Sequence, residues 1–284
     1  MQKLISYFFS DYQLKLQSIW FKKGLYFLLF IKAIYWLVYY DYLFGIQSII
    51  PIRPAFINPV TDLAFLLYNH PSQNWAYYFI ISVIVLTVFS LFVVKAVHPM
   101  APFIINFVMF LFVVNLQHRI YSTLTGGSYL LNQFLLFNCF LSTSYNVQQN
   151  WRSSLKVMMH NFAGLAIIIQ VCLVYLLSAI AKCNNAQWLN GTALYALSNV
   201  HHYFLYVSSG ELSFNWFFVF LNYVVIIYQL SFPILIFFKR VKKPIILIGA
   251  AMHLYIAFVM GLVEFGLIMI LAYIFFWPIK KQVP

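Results

Sequence analysis

The chain has 284 residues, 64% of them hydrophobic and only 8% charged, with a formal net charge of +12. That composition excludes an ordinary soluble domain, and no polar stretch is long enough to build a separate core of its own. The basic residues sit in short connections between apolar runs, the positive-inside pattern of membrane proteins, which excludes a phosphate-tracking nucleic-acid surface.

Apolar runs long enough to cross a bilayer recur along the chain, so the expected fold is all-α: a polytopic helical membrane bundle of about eight spans. Residues 1–23 form the first element. Ile5, Phe8, Phe9, Tyr12, Leu16, Ile19 and Trp20 recur at steps of three and four, with Asp11, Lys15, Ser18 and Lys22 opposite them. The pattern predicts an amphipathic helix lying on the membrane surface. Lys22 and Lys23 mark its boundary with the transmembrane domain, residues 24–284.

Span 1 is expected over Leu25–Phe44, with Lys32 inside it facing either the bundle interior or a snorkelling route to water. A proline-broken loop runs from Gly45 to Asn74. Span 2 covers Trp75–Val94 and span 3 Ala101–Gln117. Span 4, Tyr129–Ser144, is short. Asn146 to Lys156 reads as a polar connection. Span 5, Val157–Ala181, carries His160, Asn161 and Gln170 as polar interruptions. It runs into Lys182, a polar turn and a further helical segment, Trp188–Leu197. Span 6 covers Phe214–Phe238 and ends in the basic run Lys239–Lys243.

The last apolar run, Pro244–Pro278, would be roughly 52 Å long as one helix, against a bilayer core of about 30 Å. It is expected to cross twice, with a reversal near Gly261–Gly266. With eight spans and both termini cytoplasmic, thirteen basic residues fall inside and three outside. A single final crossing worsens the split to eleven against five.

In that topology Arg119, Lys182, His201, His202 and Glu211 lie toward the non-cytoplasmic side, and His253 and Glu264 in the last two spans reach the same level. They define a polar cavity opening outward around Lys182. Lys182 reads either as a snorkelling anchor or as an amine tuned by its surroundings. His253 reads either as a packing residue or as a functional group, and Glu264 either as a cap for exposed amides or as an intramembrane functional carboxylate. Trp188 and Tyr195 fit an interfacial aromatic belt. The His201–His202 pair has no third ligand at zinc spacing, and Cys139, Cys172 and Cys183 offer neither a metal pattern nor a disulfide framework. Sequence signatures of P-loop, Ser-His-Asp and zincin hydrolases are missing.

Gln170-Val-Cys-Leu-Val-Tyr175-Leu-Leu-Ser178-Ala-Ile-Ala-Lys182, followed by Trp188-Leu-Asn-Gly191-Thr-Ala-Leu194, resembles the most specific block of the horizontally transferred transmembrane (HTTM) family. Arg119 with Gly126-Gly127, and the stretch from His253 to Phe265 with Phe276-Trp277-Pro278, resemble its weaker blocks. The resemblance covers most of the chain. The best-known member is the membrane half of vitamin K-dependent gamma-carboxylase, where the lysine of this block is the proposed base for the hydroquinone.

The resemblance therefore implies catalytic roles for Lys182, His253 and Glu264, and substrate or cofactor contacts at Arg119, Tyr175, Trp188, Gly191, His201 and His202. It implies a reduced, vitamin K-like quinone as cofactor, a peptide or protein substrate beside the lipid bilayer, and a bacterial inner membrane location. Three features depart from the carboxylase: Gly127 stands where it carries a histidine, Asn184, Asn185 and Gln187 stand where it carries acids, and its luminal domain has no counterpart here. The length is similar to that of short members of the sporulation-delaying-protein B type. Three readings follow: base-initiated quinol or lipid-phase chemistry, maturation of a small secreted peptide, or a quinone- or lipid-binding subunit of a larger assembly.

Overall fold

A computed structural model describes residues 9, 11–45, 48–50, 74–92, 100–142, 151–200 and 214–277. Among these the chain is helical, without strands, and eight helices have ten residues or more: α1 Lys15–Val38, α2 Asn74–Phe92, α3 Ala101–Arg119, α4 Gly126–Phe140, α5 Trp151–Cys183, α6 Trp216–Leu235, α7 Lys242–Phe258 and α8 Val263–Ala272. Four stretches, Trp75–Phe92, Ala101–Arg119, Ser154–Cys183 and Trp216–Leu235, are long and apolar enough to cross a membrane. The chain is a helical membrane protein. Arg53, Asp62, Lys95, His98, His201, His202 and Glu211 lie outside the described residues.

The chain divides into two compact units, residues 1–164 and 165–284, with the boundary inside α5. In the first unit, α1–α4 pack as sequence neighbours, and α1 also lies antiparallel against α4. Phe21 meets Phe134 edge-on at 5.5 Å between ring centroids. Lys22 lies against Leu141 and Ser142, Tyr26 against Asn138, and Lys32 against Ser128. The Lys32 amine stands 3.5 Å from the Ser128 hydroxyl and over the Trp36 ring, so it faces the interior as one of its two expected routes required.

Two expectations for this region are corrected. The helix does not break at Lys22–Lys23 but runs unbroken from Lys15 to Val38. Within the helix the expected faces are exchanged, with Ser18 and Lys22 buried and Leu16 and Trp20 exposed, whereas ahead of it Tyr12 is buried and Asp11 exposed. Buried polar side chains need partners, which Lys22 finds in the Leu141 and Ser142 carbonyls. Likewise Arg152 and Lys156 belong to the first two turns of α5 rather than to a polar connection.

In the second unit, α7 and α8 form the hairpin expected of the last apolar run. His253 and Tyr273 are twenty residues apart, about 30 Å along a continuous helix, yet their rings lie 5.9 Å apart. The chain reverses at 259–262, where Gly261 has φ +73°. The two helices approach so closely that a Cβ at Gly266 would overlap the carbonyl oxygen of His253. The segment expected as one helix over Trp188–Leu197 is two short ones, Ala186–Leu189 and Ala193–Ser198, bent at Gly191.

Candidate functional site

Tyr175, Ser178 and Lys182 stand at i, i+3 and i+7 on α5 and so share one face. The Lys182 amine donates to the Ser178 hydroxyl at 2.7 Å and lies 4.8 Å from the centre of the Trp188 ring. Lys182 is half-buried, and no carboxylate lies within ion-pairing distance of it among the described residues.

The geometry that carries Trp188 to the lysine is set by the residues around it. Asn185 caps the short helix, its side-chain oxygen accepting from the backbone N–H groups of Gln187 at 3.0 Å and Trp188 at 3.4 Å. Gly191 turns the chain with φ +77°, and a Cβ there would meet Val219 Cγ1 at 2.7 Å. Both the left-handed backbone and the approach of α6 require glycine. Helix α6 then pins the block: the Asn222 amide donates to the Trp188 carbonyl at 2.6 Å and the Tyr223 hydroxyl to that of Leu189 at 2.5 Å. The Trp-x-x-Gly pattern thus has a local physical purpose, which is to dock a bent segment on α6 with its indole under the amine.

Two turns deeper on α5, Tyr175 is the centre of a buried aromatic and polar knot. Its hydroxyl bonds to His253 Nε2 at 2.7 Å and shares a hydrogen bond with the hydroxyl of Tyr273. Its ring stacks on Phe232 at 4.1 Å and meets Tyr228 edge-on at 5.7 Å. Gly249 makes room for this knot, because a Cβ there would overlap the hydroxyls of Tyr228 and Tyr273. His253 is only 2% exposed, and its Nδ1 has no hydrogen-bond partner among the described residues.

The expected site residues therefore separate. Lys182, Trp188 and Gly191 form one cluster, and Tyr175 and His253 another, linked by the common face of α5. Glu264 lies half-buried in the first turn of α8, where a carboxylate suits the positive end of the helix. Arg119, in the first unit, donates to the Ile50 carbonyl at 3.1 Å and to the Ser48 hydroxyl at 3.0 Å, and so holds the chain after α1. His201 and His202 lie outside the described residues. No group of three or more metal-ligating His, Cys, Asp or Glu side chains occurs among the described residues.

Sequence reasoning missed Asn222, Tyr228 and Tyr273, polar tips embedded in apolar runs. It also missed a clasp in the first unit. The Lys22 amine donates to the carbonyls of Leu141 at 2.5 Å and Ser142 at 2.9 Å, at the C-terminal end of α4. His160 Nδ1 accepts the Ser142 N–H at 3.0 Å, and its Nε2 meets the Gln13 carbonyl at 2.8 Å. Asn161 accepts from the Gln13 N–H and donates to the Asp11 carbonyl. The available signal was the spacing of Lys22 from Ser18 and Leu25, which puts it on the inner face of α1.

Comparison with protein-family models, with curated proteins and with solved structures finds no significant match.

Proposed function

We propose that the chain is an eight-span HTTM-type protein in which Lys182 is a general base for a weakly acidic, lipid-soluble hydroxyl compound, with a quinol as the class that the resemblance implies. The observation that carries this reading is the setting of Lys182: an amine at the end of an apolar helix whose partners are a neutral hydroxyl and an indole face. Nothing there locks it as a cation in the way a carboxylate would. Ser178 can accept from the ammonium or donate to the free amine, so it serves the group in both protonation states. A hydroxyl proton passes to the Lys182 amine, leaving an oxyanion on the substrate and an ammonium that Ser178 and Trp188 stabilise.

The flat indole and the amine beside it suit a hydroxylated ring, and a reduced quinone would supply the oxidisable electrons for any later step. Among the described residues, four helices are long and apolar enough to cross a membrane; the reading of eight crossings with both termini cytoplasmic rests on the α7–α8 hairpin and the distribution of basic residues.

The test is consumption of a short-chain naphthohydroquinone under air by the protein in nanodiscs. Lys182→Arg and Lys182→Met should keep the protein folded and lower the rate by about 10²–10⁴, since arginine stays protonated. An Arg variant at the wild-type rate would make Lys182 an anchor. A wild-type protein that consumes no hydroquinone but carries a small peptide in native mass spectrometry would overturn the base reading in favour of peptide maturation.

A further inference from the structure

The turn between α6 and α7 holds Lys239, Arg240, Lys242 and Lys243 within five residues. Lys239, Arg240 and Lys243 are exposed, Lys242 is half-buried, and none has a carboxylate within ion-pairing distance among the described residues. Their placement breaks a local rule. Val241 is the N-cap of α7, so Lys242 and Lys243 occupy its first two positions, with no acid in the first turn. The positive end of a helix favours anions, and two lysines there repel it and each other. Burial lowers the proton affinity of Lys242, which a nearby anion would restore.

The same turn is apolar on its flanks. Phe237 and Phe238 are each more than half exposed, and Ile234 on α6 and Leu247 and Ile248 on α7 continue that surface along both helices. The turn is held in place, since the Lys242 N–H donates to the Phe238 carbonyl at 3.0 Å and the Tyr228 hydroxyl to the Ile245 carbonyl at 2.9 Å. A cluster of cations thus adjoins exposed apolar side chains on both helices. An acidic protein partner would match the cations and leave those side chains bare, and a free phosphate would do the same. An amphiphile with an anionic head matches both.

We infer that this turn is a binding surface for an anionic phospholipid, its phosphate among Lys239, Arg240, Lys242 and Lys243 and its chains along Phe237, Phe238, Ile234 and Leu247. The surface is independent of Lys182 and stands whether or not that residue is a base.

The test uses the full chain in mixed micelles containing equal phosphatidylglycerol and phosphatidylcholine, with retained lipid counted by native mass spectrometry. The wild type should retain phosphatidylglycerol with a preference of about tenfold or more, as expected for several juxtamembrane cations. Replacing all four with glutamine should bring the preference close to unity. Where that variant fails to fold, the wild type answers alone: the preference should collapse between about 0.05 and 0.5 M salt as the Debye length shrinks. Millimolar inorganic phosphate should not displace the lipid. Equal retention of both lipids, a salt-independent preference, or displacement of the lipid by phosphate or by an acidic peptide would overturn the assignment.

Discussion

Gly191 shows how one residue decides whether Lys182 has a neighbour. Its left-handed backbone disfavours any other L-residue by roughly 1–2 kcal/mol, and a side chain there also overlaps Val219. Gly191→Ala should therefore lower the melting temperature and lift Trp188 from the amine, read as a shift in indole fluorescence. An unchanged spectrum and unchanged stability would mean that the docking on α6 tolerates the change. At Tyr175 the expected result is non-additivity. The Tyr175 and Tyr273 hydroxyls are hydrogen-bonded to each other and Tyr175 also to His253, so Tyr175→Phe and Tyr273→Phe should be coupled by about 0.5–3 kcal/mol in a double-mutant cycle. Additive losses would show that the knot is packing alone. The lysine, the tryptophan and the glycine were legible in the sequence because they lie within ten residues of one another. Asn222 and Tyr273 were not, because a contact between distant helices leaves no local spacing to read.

Among the elements, α1 teaches most. Its periodicity was legible, but the direction of its faces was not, since spacing alone does not say whether a polar stripe meets water or buried partners. Lys22 is buried in α1 and donates to the Leu141 and Ser142 carbonyls. Lys22→Met should lower the melting temperature by leaving those carbonyls unpaired, and an unchanged melting temperature would show that the clasp does not hold α1 to α4. Asn222→Ala tests α6 in the same spirit: it should loosen the Ala186–Leu189 helix, with faster amide exchange at Trp188 and Leu189 and little change in α7 and α8. Protection that stays as in the wild type would assign the docking to Tyr223 and Val219.

For the whole molecule, the helical membrane class and the four long apolar helices were legible, because about twenty apolar residues announce a crossing, and glycine near 261 announced the reversal; the limits of α1 and α5 were not, since both begin in polar stretches ahead of the apolar run. The division into two units was not, since it falls inside α5, where nothing in the apolar pattern changes. The basic-residue distribution predicts that single cysteines placed at Gln2 and Gln282 react from the same, cytoplasmic side in intact cells; opposite accessibility would remove one crossing.

The central claim is that Lys182 works as a free amine at the membrane boundary, and its reactivity in the inserted protein tests this most directly. An amine-directed reagent applied across pH 6 to 11, with Lys182 modification followed by mass spectrometry, should give a midpoint well below the value of about 10.4 for an ordinary lysine. A Lys182 that titrates like an exposed surface lysine would contradict the claim and leave it as an interfacial anchor.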